Sequence, residues 1–173
     1  MKKIRFQILI ILLITGFVSC ETMDDFEVEY SPAWPVSGEW WVTWEYDDGS
    51  GDVGDHDGVG HVRFLTYGDA DNTGDSLWAW DYGEYWDIKV KTGLNVTNRT
   101  FSVSEGQNVA YESKVTLQNG LVIERDDGDS IYMEIGFDDD ATPYATTYIV
   151  SGRRVKGFLD GTGSTSYEAD YVD

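Results

Sequence analysis

The amino-acid sequence predicts an all-β domain, an antiparallel meander of about eight short strands. Three features carry that expectation. From Gly38 onward apolar and polar residues alternate with period two, no stretch sustains a helical period, and clusters of Gly, Asp and Asn interrupt the alternation. Short strands with one apolar face each, joined by hairpins, make an antiparallel sheet. A sheet of that size leaves two open edges unless it closes into an up-and-down barrel or splits into a sandwich.

The first strand lies in SGEWWVTWEYDD: Trp40, Val42, Trp44 and Tyr46 share one face, while Glu39, Thr43 and Glu45 share the other with Trp41. The glycine-aspartate loop from Asp47 to Gly58 follows. Further strands are expected over His61 to Tyr67, Ser76 to Tyr82, Tyr85 to Thr92 and Thr100 to Ser104. In the Tyr85 to Thr92 strand, Trp86, Ile88 and Val90 point inward against Asp87, Lys89 and Lys91. The second half continues with Val109 to Leu117, Leu121 to Arg125, Ile131 to Phe137 and Tyr144 to Val155. Asn119-Gly120 and Asp127-Gly128 are pairs suited to tight hairpins, because both residue types tolerate positive φ. No internal repeat or linker divides this region.

Ahead of it, Lys2, Lys3 and Arg5 precede an apolar run from Ile8 to Ile14, and Gly16-Phe17-Val18-Ser19 leads into Cys20, the only cysteine. A basic start, a greasy middle and a small residue at the cut make a secretory signal, too short to span a bilayer as a stop-transfer helix. The cysteine directly after Ser19 resembles the lipobox of bacterial lipoproteins, in which it becomes the lipidated N-terminus, although Phe17 stands where leucine is commonest. The expected organisation is a signal over 1–19, an acidic tether over 20–33 behind lipidated Cys20, and one domain over 34–173. Asp24-Asp25 resembles a surface-export signal of some Gram-negative lipoproteins and reads equally as a solvated linker. The expected location is the outer membrane, on its periplasmic face or at the cell surface.

With 32 Asp and Glu against 12 Lys and Arg, the formal charge is −20, and losing the signal removes three cations and no acid. Such a field repels phosphate backbones and anionic headgroups, which argues against nucleic acid as a partner.

Gly38-Glu39-Trp40 at the head of the first strand resembles the G-x-W of lipocalins and related calycin barrels, where the tryptophan plugs the closed end. Arg153 and Arg154, closing the last strand, stand where those barrels place a cation across that ring. The stretches WPVSGEWWVTWE, GHVRFLTYGDADNTGDSLWAWD, LQNGLVIE and FDDDATPYATTYIVSGRRVKGF together resemble the lipid-binding putative hydrolase family of bacterial lipoproteins. The resemblance covers nearly all of the domain and implies a lipocalin-like barrel. It carries no catalytic residues with it.

The residues themselves do not supply a hydrolase. There is no G-x-S-x-G, and the only histidines are His56 in the acidic loop and His61 at a strand start, too few for a zinc triad. Asp69, Asp71 and Asp75 imitate the start of an EF-hand loop, but Trp80 stands where a bidentate glutamate closes one, so a polar connection is the better reading and no metal or cofactor is expected. Aromatic residues are the most informative feature. Trp44, Trp78, Trp80, Tyr82 and Trp86 exceed what a snug core needs and are the candidates to line a site for a small hydrophobic or amphipathic ligand. Trp41 and Trp34 instead suit a platform on which a glycan stacks. A structural adaptor of an outer-membrane uptake complex is the third alternative.

Overall fold

The computed structural model describes residues 29–142 and 146–155. Cys20, the signal and most of the expected tether lie outside the described residues. The chain divides into two compact units between Tyr30 and Ser31, and the sheet belongs to the second. Ala33, the last residue of the expected tether, is already buried in it.

A single 3-10 turn (Trp34–Val36) leads into β1 (Gly38–Asp47), followed by β2 (Val53–Gly54), β3 (Val62–Gly68), β4 (Ser76–Trp80), β5 (Lys89–Asn95), β6 (Thr100–Gln107), β7 (Lys114–Ile123), β8 (Ser130–Phe137) and β9 (Tyr148–Arg154). Strands β1 and β3 to β9 pair antiparallel in chain order, and β9 returns to β1, from Trp40 opposite Arg154 to Glu45 opposite Ile149. The result is a closed eight-stranded barrel, the up-and-down form of the two the sequence allowed. The two-residue β2 folds back on Tyr46 and Asp47 and adds nothing to the wall. Closure needs a close approach at the seam: Gly152 faces Val42, and a Cβ there would overlap the Trp41 carbonyl.

Alternation decides what fills the cylinder. Trp40, Val42 and Trp44 of β1, Val62 and Phe64 of β3, and Leu77 and Ala79 of β4 all point inward and are buried. The up-and-down path places the connections 48–61, 81–88 and 108–113 at one end, with 138–142 and 146–147 beside them, and 69–75, 96–99 and 124–129 at the other.

That second end is plugged. Trp40 is fully buried, and its Nε1 donates to Thr66 Oγ1 at 2.8 Å, whose hydroxyl donates in turn to the Val36 carbonyl at 2.5 Å. The Arg154 guanidinium lies over the indole, 4.4 Å from its centroid, and donates to the carbonyls of Ser37 and Pro35 and to Asp129. Gly38 makes the room, since a Cβ there would come within 2.5 Å of Arg154 Nη1. Arg153 points to the outside and pairs with Asp127 at 2.6 Å.

Three local expectations change. Asn119-Gly120 closes no hairpin. It is a bulge inside β7 at a break in register between Gln118 and Leu121, with Asn119 at φ 54° and Gly120 pressed against the Phe101 carbonyl and ring. The strand expected from Tyr85 begins only at Lys89, because residues 81–88 form a turn around Asp81. Val109 to Ser113 is a loop, organised by Asn108, which accepts the N–H groups of Lys89 and Ala110 and donates to the Asp87 carbonyl and the Ser113 hydroxyl.

Candidate functional site

The end of the barrel that carries the 48–61, 81–88 and 108–113 connections, the loop end, gathers aromatic rings around a buried acid. Asp81, fully buried just past β4, turns its carboxylate on the chain that follows: Oδ1 accepts the N–H groups of Gly83 and Ile88, both at 2.9 Å, and Oδ2 accepts those of Tyr85, Trp86 and Asp87. Five donors on one carboxylate fix a compact turn that allows positive φ at Tyr82 and Asp87 and sends Tyr85 and Trp86 back over the barrel.

Those two rings meet the inward residues of β1, β8 and β9. Trp44, 1% exposed, stacks on Tyr85 with centroids 4.6 Å apart and touches Phe64, Phe137 and Tyr148 at 6.0 to 6.5 Å. Trp86 stacks on Phe137 at 4.4 Å and leans on Tyr148 at 5.5 Å, and Tyr46 closes on Tyr148 at 5.3 Å. Tyr46, Tyr85, Trp86 and Phe137 are only partly buried, so the cluster grades from a sealed floor at Trp44 to an accessible lip.

Acids hold the lip. Tyr85 Oη donates to Asp57 Oδ2 at 2.7 Å and Tyr46 Oη to Asp57 Oδ1 at 3.1 Å, so one carboxylate ties the 48–61 loop across two rings. Tyr148 Oη donates to Asp140 at 3.3 Å, and Trp86 Nε1 to Tyr111 Oη, which donates to Asp139 at 2.8 Å. Burial, reinforced by Asp57, pushes the Tyr85 phenol far above its ordinary value, and burial beside Asp140 does the same to Tyr148. These hydroxyls are therefore donors throughout the physiological range. One polar atom is left over. Trp44 Nε1 is buried and has no acceptor among the described residues.

The five rings singled out from sequence fall into two groups. Trp44 and Trp86 meet inside the loop end, whereas Trp78, Trp80 and Tyr82 lie on the outer wall. There Tyr82 is 45% exposed and stacks on Trp80 at 4.4 Å, and Lys89 Nζ sits 4.9 to 5.9 Å above Trp80, Trp78 and Tyr67. Arg63 lies over Tyr82 and pairs with Glu84 at 2.6 Å. Trp41 is on the same wall, parallel to His61, and Trp34 is exposed beside the plug. Sequence reasoning missed Tyr85, Phe137 and Tyr148, the partners that make Trp44 and Trp86 a cluster. Phe137 was legible as inward from β8 alternation, but Tyr85 was not, since its position depends on the Asp81 turn.

The acidic connection after β3 is spent on itself: Asp69 accepts from Lys91, the Ala70 N–H and Ser76, and Asp75 accepts from Thr73. Among the described residues no three His, Cys, Asp or Glu side chains converge to hold a metal ion. An open groove of about 700 Å³ crosses β5 to β8 beside Asn95, Ser102, Asn119, Leu121 and Tyr132, away from the ring cluster. Its lining mixes polar groups with Leu94, Phe101 and Leu121, and Tyr132 is the titratable side chain in it.

A family model described as lipid-binding putative hydrolase matches residues 25–159. No curated protein matches the chain.

Proposed function

The chain belongs to the lipid-binding putative hydrolase family. We propose, from the basic and apolar start that ends in Cys20 and from the ring cluster in the barrel, an exported protein, anchored by lipid on Cys20 in the outer membrane, that holds a small hydrophobic or amphipathic ligand at the loop end without catalysis. The observation that carries the proposal is the ring cluster around Trp44, sealed below and partly accessible above. Aromatic walls with a few fixed polar groups at the rim are what an amphiphile requires: dispersion and burial for its chain, hydrogen bonds for its head. The non-catalytic part rests on the chemistry of the residues. His56 is engaged with the Asp52 carbonyl and Asp48 in an exposed loop, and His61 lies against Trp41 on the outer wall.

Native mass spectrometry of the full chain released from its own membranes tests both parts. The expected result is a mass increment of several acyl chains that disappears in Cys20→Ala, together with a separable co-purifying amphiphile whose retention falls when Trp86→Ala opens the cluster. A chain that carries no amphiphile, and whose tryptophan emission stays flat on titration with fatty esters and fatty acids, overturns the ligand reading.

A second reading has its own observation. The outer-wall rings Trp78, Trp80 and Tyr82, with Lys89 over the two indoles and Arg63 over the phenol, join aromatic surface to cationic donors, the combination by which a glycan is held. Quenching of emission by an oligosaccharide, lost in Trp80→Ala and retained in Trp86→Ala, would favour it.

A further inference from the structure

We infer that the ligand at the loop end presents an uncharged oxygen acceptor to Trp44 Nε1, as an acyl ester does, and that fatty-acid anions are disfavoured; this rests on the ligand reading above. The starting point is satisfaction of polar groups. Trp40 Nε1, Asp81, Thr66 and Asn108 are all buried with partners, yet Trp44 Nε1 alone among the described buried side-chain atoms has none. A buried N–H without an acceptor is costly and persists where something else completes it.

The surroundings limit what that can be. The ring sits among Phe64, Tyr85, Phe137 and Tyr148, and the phenols of Tyr85 and Tyr148 already donate to Asp57 and Asp140. Among the described residues the buried side-chain donor left without a partner is the indole N–H, and an acceptor must arrive on an apolar body. Charge then selects among acceptors. On the described residues, Arg99, Arg125, Arg153 and Arg154 lie at the plug end or the turns beside it, while Arg63, Lys89, Lys91 and Lys114 occupy outward strand positions. No lysine or arginine among the described residues faces the rings; the imidazole of His56 stands edge-on to Tyr46 at 5.2 Å beside Asp48, and Asp57, Asp139 and Asp140 surround the lip. A carboxylate would be desolvated without a partner, whereas an ester carbonyl accepts one N–H and leaves a hydroxylated head to donate to the rim acids.

The experiment offers the full chain an equimolar mixture of 1-monopalmitoylglycerol and palmitate at pH 8 and reads both complexes by native mass spectrometry, for the wild type and for Trp44→Phe, which keeps a stacking ring and removes the N–H. The expected result is about a tenfold excess of ester over acid in the wild type, falling about fivefold in the variant. Thermal melting without ligand checks the fold: the variant should keep a single cooperative transition and gain less from the ester. Equal capture of the two probes, or an ester preference unchanged in Trp44→Phe, as when a buried water completes the N–H, overturns this inference and leaves the ligand reading standing. Capture of neither probe overturns both.

Discussion

The Asp81 carboxylate meets the Trp86 backbone N–H at 2.8 Å while the Trp86 ring lies on Phe137, so a single buried acid positions a ring at the far side of the barrel mouth. Asp81→Asn tests this directly. The amide turns one acceptor oxygen into a donor facing N–H groups that cannot move away. The variant should lose about 2–3 kcal/mol in urea unfolding, with near-ultraviolet dichroism of the ring cluster weakened. A loss below about 0.5 kcal/mol would mean that ring stacking alone holds the turn.

Arg153 and Arg154 are neighbours with different work. Arg154 covers Trp40 and donates to two carbonyls and Asp129, whereas Arg153 makes an exposed ion pair with Asp127. Arg154→Met should cost about 1–3 kcal/mol and shift Trp40 emission to longer wavelength, and Arg153→Met should stay within about 0.5 kcal/mol of the wild type. Comparable losses at both positions, measured by the same unfolding titration, would contradict the plug assignment.

Much of this barrel was legible because alternation fixes facing wherever one parity is apolar and the other polar. In β1, Trp40, Val42 and Trp44 oppose Glu39, Thr43 and Glu45, and these three polar residues set the facing although Trp41 shares their side. In β4 both parities are apolar, Leu77 and Ala79 against Trp78 and Trp80, and the smaller pair goes inside where β3 already contributes Phe64. Size, which follows from the packing of neighbouring strands, decided what polarity could not. Tyr85 was hidden for another reason: a hub of side-chain to backbone bonds on Asp81 overrides the strand pattern of residues 85–88. The Asn119-Gly120 signal was real in the positive φ of Asn119 and wrong in its use, since a bulge here needs that conformation as a hairpin does.

The seam between β1 and β9 depends on Gly152. Gly152→Ala places a methyl group against the Trp41 carbonyl and Val42 Cα, backbone that must shift the closing ladder to accommodate it. The expected cost is about 1–3 kcal/mol, with faster amide exchange across the Val42 to Trp44 ladder. Gly136→Ala is the control, because the nearest atom to its Cβ is the Thr146 carbonyl at 4.0 Å, an ordinary contact. If both glycines tolerate alanine equally, closure does not depend on close approach at the seam.

The loop that Asp57 ties over the mouth has a protonation-sensitive contact of its own. His56 is raised above its ordinary 6.5, first by the hydrogen bond to the Asp52 carbonyl and then by the charges of Asp48 and Asp52, while Asp48 is lowered from 3.8, chiefly by the Ser50 hydroxyl and N–H. A raised histidine contributes order that is complete below the unfolded value and fades as pH climbs through the folded one; a lowered carboxylate contributes order present above its unfolded value and lost as pH falls through the folded one. The two overlap between about pH 4 and 6.5, where the charged pair spans 3.8 Å. Within that window amide exchange across residues 48–60 should be slowest, and above it faster, with the barrel strands unaffected. The His56 ring proton should titrate with a midpoint above 6.5, moving down in Asp48→Asn. A midpoint at or below 6.5, or exchange in the loop that does not change between pH 5.5 and 8.5 after correction for intrinsic rates, would show that His56 exerts no hold on the loop over the mouth.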